Sequence, residues 1–450
     1  MQLASELSVS HPSLYRWLRG WQIGLNLFLF LALLVLGAFF FRRPLFLLAL
    51  IPIGFVPFSY ARLRFDALLG RLLSSYPPLF LPCVGLGLLL DCVMVAQLLT
   101  ARSESSIPIL HGQAISWVGA IWFSAHALLF LGYAVLGLGQ VGKRLMSWLL
   151  SAFTRPPDLP DAPASPERRQ FLQQISVLGA GVPFFVSLSN VKLTYDFRVE
   201  ERDITLPHWP RELDGLRVAH LSDIHVGGGM NRERLLRMAA LTNAARPDVV
   251  LHTGDFLTHR SGNFDVPLYE ALARITAPYG QWACLGNHDF DAPERLVRRL
   301  QRAGVVTLRN TLTTLTVQGQ PVEIAGLDYL SGSLDTAKNR YAKIMNSWGP
   351  REAVPRLLLN HDPRAFAALP DDCANLVLSG HTHGGHVGVQ LGRDRAVTVV
   401  GLCGIPDQGF FRRGDLCMFI TRCVGFYGYP MRLGIPPEIA LLTLRAPTNS

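Results

Sequence analysis

An α/β domain behind an all-α, multi-span membrane region is the fold class this sequence predicts, on three observations. Hydrophobic residues make up 49% of the 450, and the mean hydropathy is +0.26, both high for a wholly soluble chain. The long apolar stretches lie in the first 150 residues. From about residue 191 short apolar runs alternate with helical ones, and five of these runs end in Asp, Asn or His.

The membrane region holds four apolar stretches: 21–40 (WQIGLNLFLFLALLVLGAFF, without a charge), and about 44–60, 79–99 and 115–138. About 20 apolar residues cross a hydrocarbon core as a helix. Pro52 and Pro57 interrupt the second stretch, and the third contains Asp91. An acid there either serves a function or pairs locally, because an uncompensated charge in lipid is costly. With the N-terminus inside, the inner segments carry ten Lys/Arg (from Arg16 to Arg169). The outer loops carry only Arg42, Arg43 and Arg102. This bias predicts a multi-pass membrane protein with its N-terminus inside.

Residues 151–190 form a separate segment. The polar RPPDLPDAPASPE (155–167) is a linker, and RRQFLQQISVLGAGVPFFVSLS (168–189) sets two arginines before an apolar run. The run is either an internal twin-arginine-like export signal or a fifth membrane helix; both put the following domain on the periplasmic face. Pro183 and two glutamines leave a third reading open, an amphipathic helix on the inner surface.

Charge and cysteines narrow the function classes. The net charge is +9, and the first 169 residues hold 13 Lys/Arg against 7 Asp/Glu, so six of the nine charges sit there. Membrane topology accounts for them, and no nucleic-acid partner is expected. The seven cysteines show no CxxC spacing, which excludes a zinc finger. Cys403, Cys417 and Cys423 would allow a disulfide if exported.

In the domain at 191–446 each apolar run reads as a strand ending in ligands. LRVAHLS leads to Asp223-Ile224-His225, DVVLHTG to Asp255, GQWACLG to Asn287-His288-Asp289, RLLLN to His361-Asp362, and NLVLSG to His381-Thr382-His383 and then His386. Nine of the thirteen histidines fall between 220 and 386. Carboxylate, amide and imidazole donors together suit borderline divalent ions such as Mn, Fe and Zn. In extended backbone Asp223 with His225, and His381 with His383, would aim two ligands at one place. Gly254 and Gly380 would allow tight turns. An aspartate bridging two ions would hold them about 3.5–4 Å apart, the spacing of two-metal hydrolases.

The ordered blocks Asp-x-His, Gly-Asp, Gly-Asn-His-Asp, His and Gly-His-x-His over about 216–386 resemble the calcineurin-like metallophosphoesterase family. The ending GYPMRLGIPPEIALLTL (428–444) resembles its membrane-associated bacterial subgroup. The resemblance implies a four-layer αββα sandwich with two mixed β-sheets. It implies Asp223, His225 and His383 on a first metal, Asn287, His361 and His381 on a second, and Asp255 bridging. It gives His288 the proton for the leaving oxygen, with Asp289 orienting it, and implies attack by metal-bound hydroxide.

Other residues read as scaffold. His220 and His252 lie within apolar runs as core histidines. His259 sits in a polar loop, and His386 is either a substrate contact or peripheral. Arg232, Arg234 and Arg237 mark a solvated helix face. The insert at 331–348 carries Lys338, Arg340 and Lys343, which would meet an anionic head group if it covers the site.

The expected function is a membrane-anchored hydrolase of a phosphodiester or phosphoanhydride, with a lipid-linked or envelope phosphoester substrate and membrane lipids as surroundings. One alternative is a cytoplasm-facing UDP-2,3-diacylglucosamine pyrophosphatase of lipid A synthesis. Another is a membrane sensor or transporter with a regulatory hydrolase domain.

Overall fold

The computed structural model describes isolated residues between 61 and 93, residues 113–151, and residues 165–447 except 228, 259–264, 331–333, 349–353 and 428–429. The first two apolar stretches and the proline-rich linker up to 164 lie outside the described residues. The chain divides into two compact units, Met1–Ser189 and Asn190–Ser450.

In the first unit the helix α1 (Gln113–Ser151) contains Trp117–Lys143. Among the described residues this is the one segment long and apolar enough to cross a membrane. The helix α2 (Pro166–Leu193), with Pro183 inside, is not such a segment. Of the four or five spans expected, the one in α1 falls among the described residues. Asp91 pairs locally, accepting the indole N–H of Trp122 at 2.7 Å. That bond lowers the cost of holding an acid among apolar neighbours.

The second unit is built on two six-stranded mixed sheets. The first contains β1 (Arg198–Thr205), β2 (Leu216–Leu221), β3 (Val249–His252), β4 (Gln281–Ala283), β5 (Val305–Thr307) and β14 (Glu438–Arg445), ordered β1-β14-β2-β3-β4-β5. The second contains β6 (Thr311–Val317), β7 (Gln320–Leu327), β8 (Arg356–Asn360), β9 (Leu376–Ser379), β12 (Gly409–Arg413) and β13 (Leu416–Ile420), ordered β12-β13-β9-β8-β7-β6. A two-stranded ribbon, β10 (Gly388–Gln390) with β11 (Ala396–Thr398), stands apart, and the one-turn helix α7 (Val399–Leu402) follows it.

Strand alternation explains the layering. In β8, Leu357 and Leu359 enter the core between the sheets while Leu358 enters the outer core; in β9, Leu376 and Leu378 part from Val377 in the same way. In β3, Val249 and Leu251 face the second sheet and Val250 faces the helices. Both faces of these strands are buried, so they read as continuous apolar runs. The helices α3 (Arg232–Ala244), α4 (Val266–Leu272) and α5 (Pro293–Arg302) cover the first sheet with Leu235, Met238, Leu268, Leu296 and Leu300. The insert helix α6 (Leu334–Ser347) covers the second with Tyr341 and Met345, and exposes Lys338, Arg340 and Lys343.

Some scaffold readings change. His220 and His252 are buried in strands, as expected of core histidines, bonded to Thr253 Oγ1 (2.9 Å) and Gln281 Oε1 (3.2 Å). The α3 arginines are not merely solvated. Arg232 pairs with Glu270, Arg234 lies 3.6 Å from the Tyr195 ring centroid, and Arg237 reaches Asp196. Two of the three thus fasten α3 to the chain entering β1. Cys403, Cys417 and Cys423 are all free, so none of them is in a disulfide. His259 lies outside the described residues.

Candidate metal centre

Parallel strands of both sheets end in the site. β2 delivers Asp223 and His225, β3 delivers Asp255, the turn after β4 delivers Asn287 and His288, β8 delivers His361, and β9 delivers His381 and His383. Parallel pairing of β2 with β3, β3 with β4, and β8 with β9 sends these strand ends the same way.

The backbone reaches this geometry by a route other than extended chain. Asp223, His225, Asp255, His381 and His383 all have positive φ, between 50° and 67°. Left-handed backbone costs an L-residue about 1–2 kcal/mol, and such strain gathers at functional sites. Glycines leave room for it. A Cβ on Gly254 (φ 89°) would strike the Gly286 backbone, and one on Gly380 would strike Ser222 Oγ and Asp223 Oδ2.

Two clusters result: Asp223, His225 and His383, and Asp255, His361 and His381, each with ligand atoms within 4.8 Å of one another. His383 Nε2 lies 3.3 Å from Asp223 Oδ1, and His225 Nε2 lies 3.7 Å from it. In the second cluster His361 Nε2 lies 3.0 Å from Asn287 Oδ1 and 3.1 Å from His381 Nδ1. Asp255 Oδ2 stands between the clusters, 3.5 Å from His225 Nε2 and 3.3 Å from His361 Nε2.

The donor set fits divalent ions. Asp223 Oδ1 and both ring nitrogens of His225 are buried with no hydrogen-bond partner. Such atoms are costly unless something coordinates them. The ring orientations agree. His361 donates from Nδ1 to the Thr253 carbonyl at 2.7 Å, and His383 from Nδ1 to the Gly425 carbonyl at 3.3 Å, so each turns its Nε2 into the site.

Burial alone would raise the Asp223 carboxyl, but His383, His361 and His225 hold it well below its ordinary value. Burial likewise opposes the shift at Asp255, which His361 and His225 lower. His361 is raised to about 10: burial works against its charge, and Asp255 and Asp223 outweigh burial. Burial depresses His381, with His361 adding to it, and burial depresses His383 well below its usual value.

Several supporting residues were not visible in the sequence. Asp223 Oδ2 accepts from Ser222 Oγ (2.5 Å), the His381 amide (2.9 Å) and the Cys423 thiol (3.1 Å), which leaves Oδ1 facing the cluster. The buried Arg432 donates to the His383 carbonyl (2.9 Å) and the Gly425 carbonyl (2.6 Å). Tyr427 packs on the His288 ring at 4.4 Å between centroids and lies 5.5 Å from His225. Tyr329 lies 6.2 Å from His381. Ser222 borders an Asp-x-His block and Arg432 lies within the 428–444 ending, but nothing in either stretch marks a contact to the site, and Cys423 and Tyr427 carry no motif.

The remaining site residues separate by role. His288 donates its backbone N–H to Asp255 Oδ1 (2.8 Å), and its ring is 5.2 Å from that of His225. Asp289 differs from the expectation that it orients His288 through its side chain. Oδ2 accepts from the Asp255 and Gly286 amides (2.8 and 2.9 Å), and Oδ1 from Phe256 and Leu257 (3.0 and 3.4 Å). Burial, with the Asp255 charge, pushes its carboxyl up to about 7 against those donors. His386 donates from Nδ1 to the Met431 carbonyl (3.2 Å), with its ring 4.7 Å from that of His383.

Residues 216–385 match the family model of the calcineurin-like phosphoesterases. The chain is 30% identical over 251 residues to the Bacillus subtilis metallophosphoesterase YkuE, covering 53% of this chain and 82% of that one. A Danio rerio transmembrane protein with a metallophosphoesterase domain is 29% identical over 55% of this chain and 57% of its own length. The Chlamydia muridarum UDP-2,3-diacylglucosamine pyrophosphatase LpxG is 24% identical over 53% of this chain and 87% of that protein. The chain belongs to the calcineurin-like metallophosphoesterase family. It is a metal-dependent phosphoric ester hydrolase, and the transmembrane relative and the apolar span in α1 point to membrane association.

Proposed function

We propose that this chain is a membrane-anchored, dinuclear metallohydrolase of a phosphodiester or phosphoanhydride whose substrate is lipid-linked or belongs to the envelope. The observation that carries the reading is Asp255 Oδ2, within 3.5 Å of a histidine from each cluster. Asp223, His225 and His383 would hold one ion, Asn287, His361 and His381 the other, and Asp255 would serve both. Mn, Fe and Zn suit the mixed donors. Such ions would supply Lewis acidity and lower the pKa of water. His288 protonates the leaving oxygen. Tyr427 fixes its ring by packing, and Asp289 acts at one remove by holding the Asp255 turn. His386 is held beside His383 and stands as a substrate contact.

The proposed organisation is a membrane region at 1–150, a connecting segment at 151–190 and the hydrolase at 191–446. The proposed location is the inner membrane of a bacterium, multi-pass, with the hydrolase on the periplasmic face. The likeness to LpxG favours one second reading, a cytoplasm-facing UDP-2,3-diacylglucosamine pyrophosphatase. Protease protection of residues 191–446 in inverted vesicles separates the two orientations.

The test is hydrolysis of bis(p-nitrophenyl) phosphate by the purified full chain with Mn²⁺, beside Asn287→Ala and His288→Ala. Metal-dependent turnover lost in both variants supports the diesterase. Turnover that survives both overturns the assigned roles, and turnover of only UDP-diacylglucosamine selects the second reading.

A further inference from the structure

The β10–β11 ribbon has its polarity reversed. Val389 pairs directly with Val397 across the antiparallel strands, so both side chains leave the same face. Leu391 continues that face by alternation, the Leu391 N–H to Arg395 carbonyl bond (2.8 Å) extending the ladder, and Val399 begins α7 directly after β11. All four are exposed, and Leu402, at the end of α7, is 78% exposed. The opposite face carries Gly388, Gln390, Ala396 and the buried Thr398. A ribbon on a soluble body is expected to turn its polar side outward. Here the outward side is a contiguous aliphatic patch, which marks a contact surface.

Its charge says what that surface meets. The turn Gly392–Arg395 holds two exposed arginines and one acid, Asp394, which pairs with Arg202 of β1 at 2.5 Å. The unneutralised charge at the tip is therefore that of Arg393 and Arg395. Aliphatic side chains beside arginines suit the boundary between acyl chains and anionic head groups.

We propose that the outer face of β10–β11 with α7 docks on an anionic lipid bilayer. The proposal rests on the reading of the chain as a membrane-held hydrolase and adds how the site meets a lipid-borne substrate. The patch is tied to the site. Asp407 accepts the Thr382 hydroxyl through its carbonyl (2.7 Å), and its carboxylate bonds Thr398 at the ribbon base. Thr382 lies between His381 and His383, so docking would bear directly on the ligand loop.

Cys403, the one exposed cysteine among the described residues, gives the test. The full chain, with Cys83→Ser and Cys92→Ser, is spin-labelled at Cys403 and reconstituted in phosphatidylglycerol/phosphatidylethanolamine vesicles. Docking predicts that the label is more accessible to oxygen than to a water-soluble nickel chelate. That preference is lost in Leu391→Ser/Leu402→Ser and weakened in Arg393→Glu/Arg395→Glu. A label equally open to the chelate in vesicles and in detergent overturns the proposal. So does protection seen only in native membranes, which would assign the face to a protein partner. Soluble-diester turnover of the same samples reports separately on the hydrolase reading, and the face variants are expected to retain it.

Discussion

Asp289 accepts the Asp255 backbone amide at 2.8 Å and so fixes the turn that presents the central carboxylate. The same carboxylate gathers amides from Gly286, Phe256 and Leu257. Asn at this position turns an NH₂ toward amide donors. Asp289→Asn is expected to destabilise the fold by about 1–3 kcal/mol, the usual cost of a buried group left unsatisfied. It should also lower metal occupancy. Thermal unfolding and metal analysis check the two effects together.

Cys423 acts as a donor, not as a nucleophile. Burial pushes its thiol well up, and it donates to Asp223 Oδ2. Cys423→Ser, which keeps a donor, should bind metal nearly as the wild type does. Cys423→Val should weaken binding about 10- to 100-fold, the usual effect of losing an outer partner of a ligand. Titration with Mn²⁺ separates the variants; equal loss in both would assign Cys423 a packing role.

Arg432 holds two carbonyls with a forked guanidinium. Its Nη2 and His383 Nδ1 both face the Gly425 carbonyl, 3.5 Å apart. Burial above all disfavours protonation of His383, and the Arg432 charge adds to it. Lysine cannot span both carbonyls. Arg432→Lys is expected to lower the pH stability of metal binding, so that Mn²⁺ is lost at a higher pH than from the wild type. Metal retention measured across pH tests this.

His220 and His252 predict acid sensitivity of the fold. Burial lowers them to about 3 and about 4 from an ordinary 6.5. Between these values and 6.5 the unfolded chain binds more protons than the folded one, so stability rises with pH. Their contribution is fully present above about 6.5 and is lost as pH falls toward 4. Unfolding at pH 7 and pH 5 should show the slope, and His252→Gln should flatten it.

The sequence made much of this site legible because its ligands follow apolar runs, which parallel pairing brings side by side at one sheet edge. Asp223, Asp255, Asn287, His361 and His381 all ended such runs. The local geometry was not legible: extended backbone was expected at Asp223 and His381, where both are left-handed. Cys423 read only as a disulfide candidate and Arg432 only as part of the 428–444 ending, because their contacts to Asp223 and His383 depend on a loop that closes from the far end of the chain. The resemblance implied that Asp289 orients His288, and its oxygens are taken up by amides of the turns around it. The alternation of β10 and β11 is plain in the sequence, but alternation alone does not say which face of a ribbon the body covers.

The most direct measurement is the metal content of the purified full chain, by mass spectrometry, for the wild type and Asp255→Asn. The account predicts two divalent ions per chain, with Asp255→Asn losing occupancy at both positions because one carboxylate serves both. A chain that binds no ion, or a variant that keeps two, would contradict it.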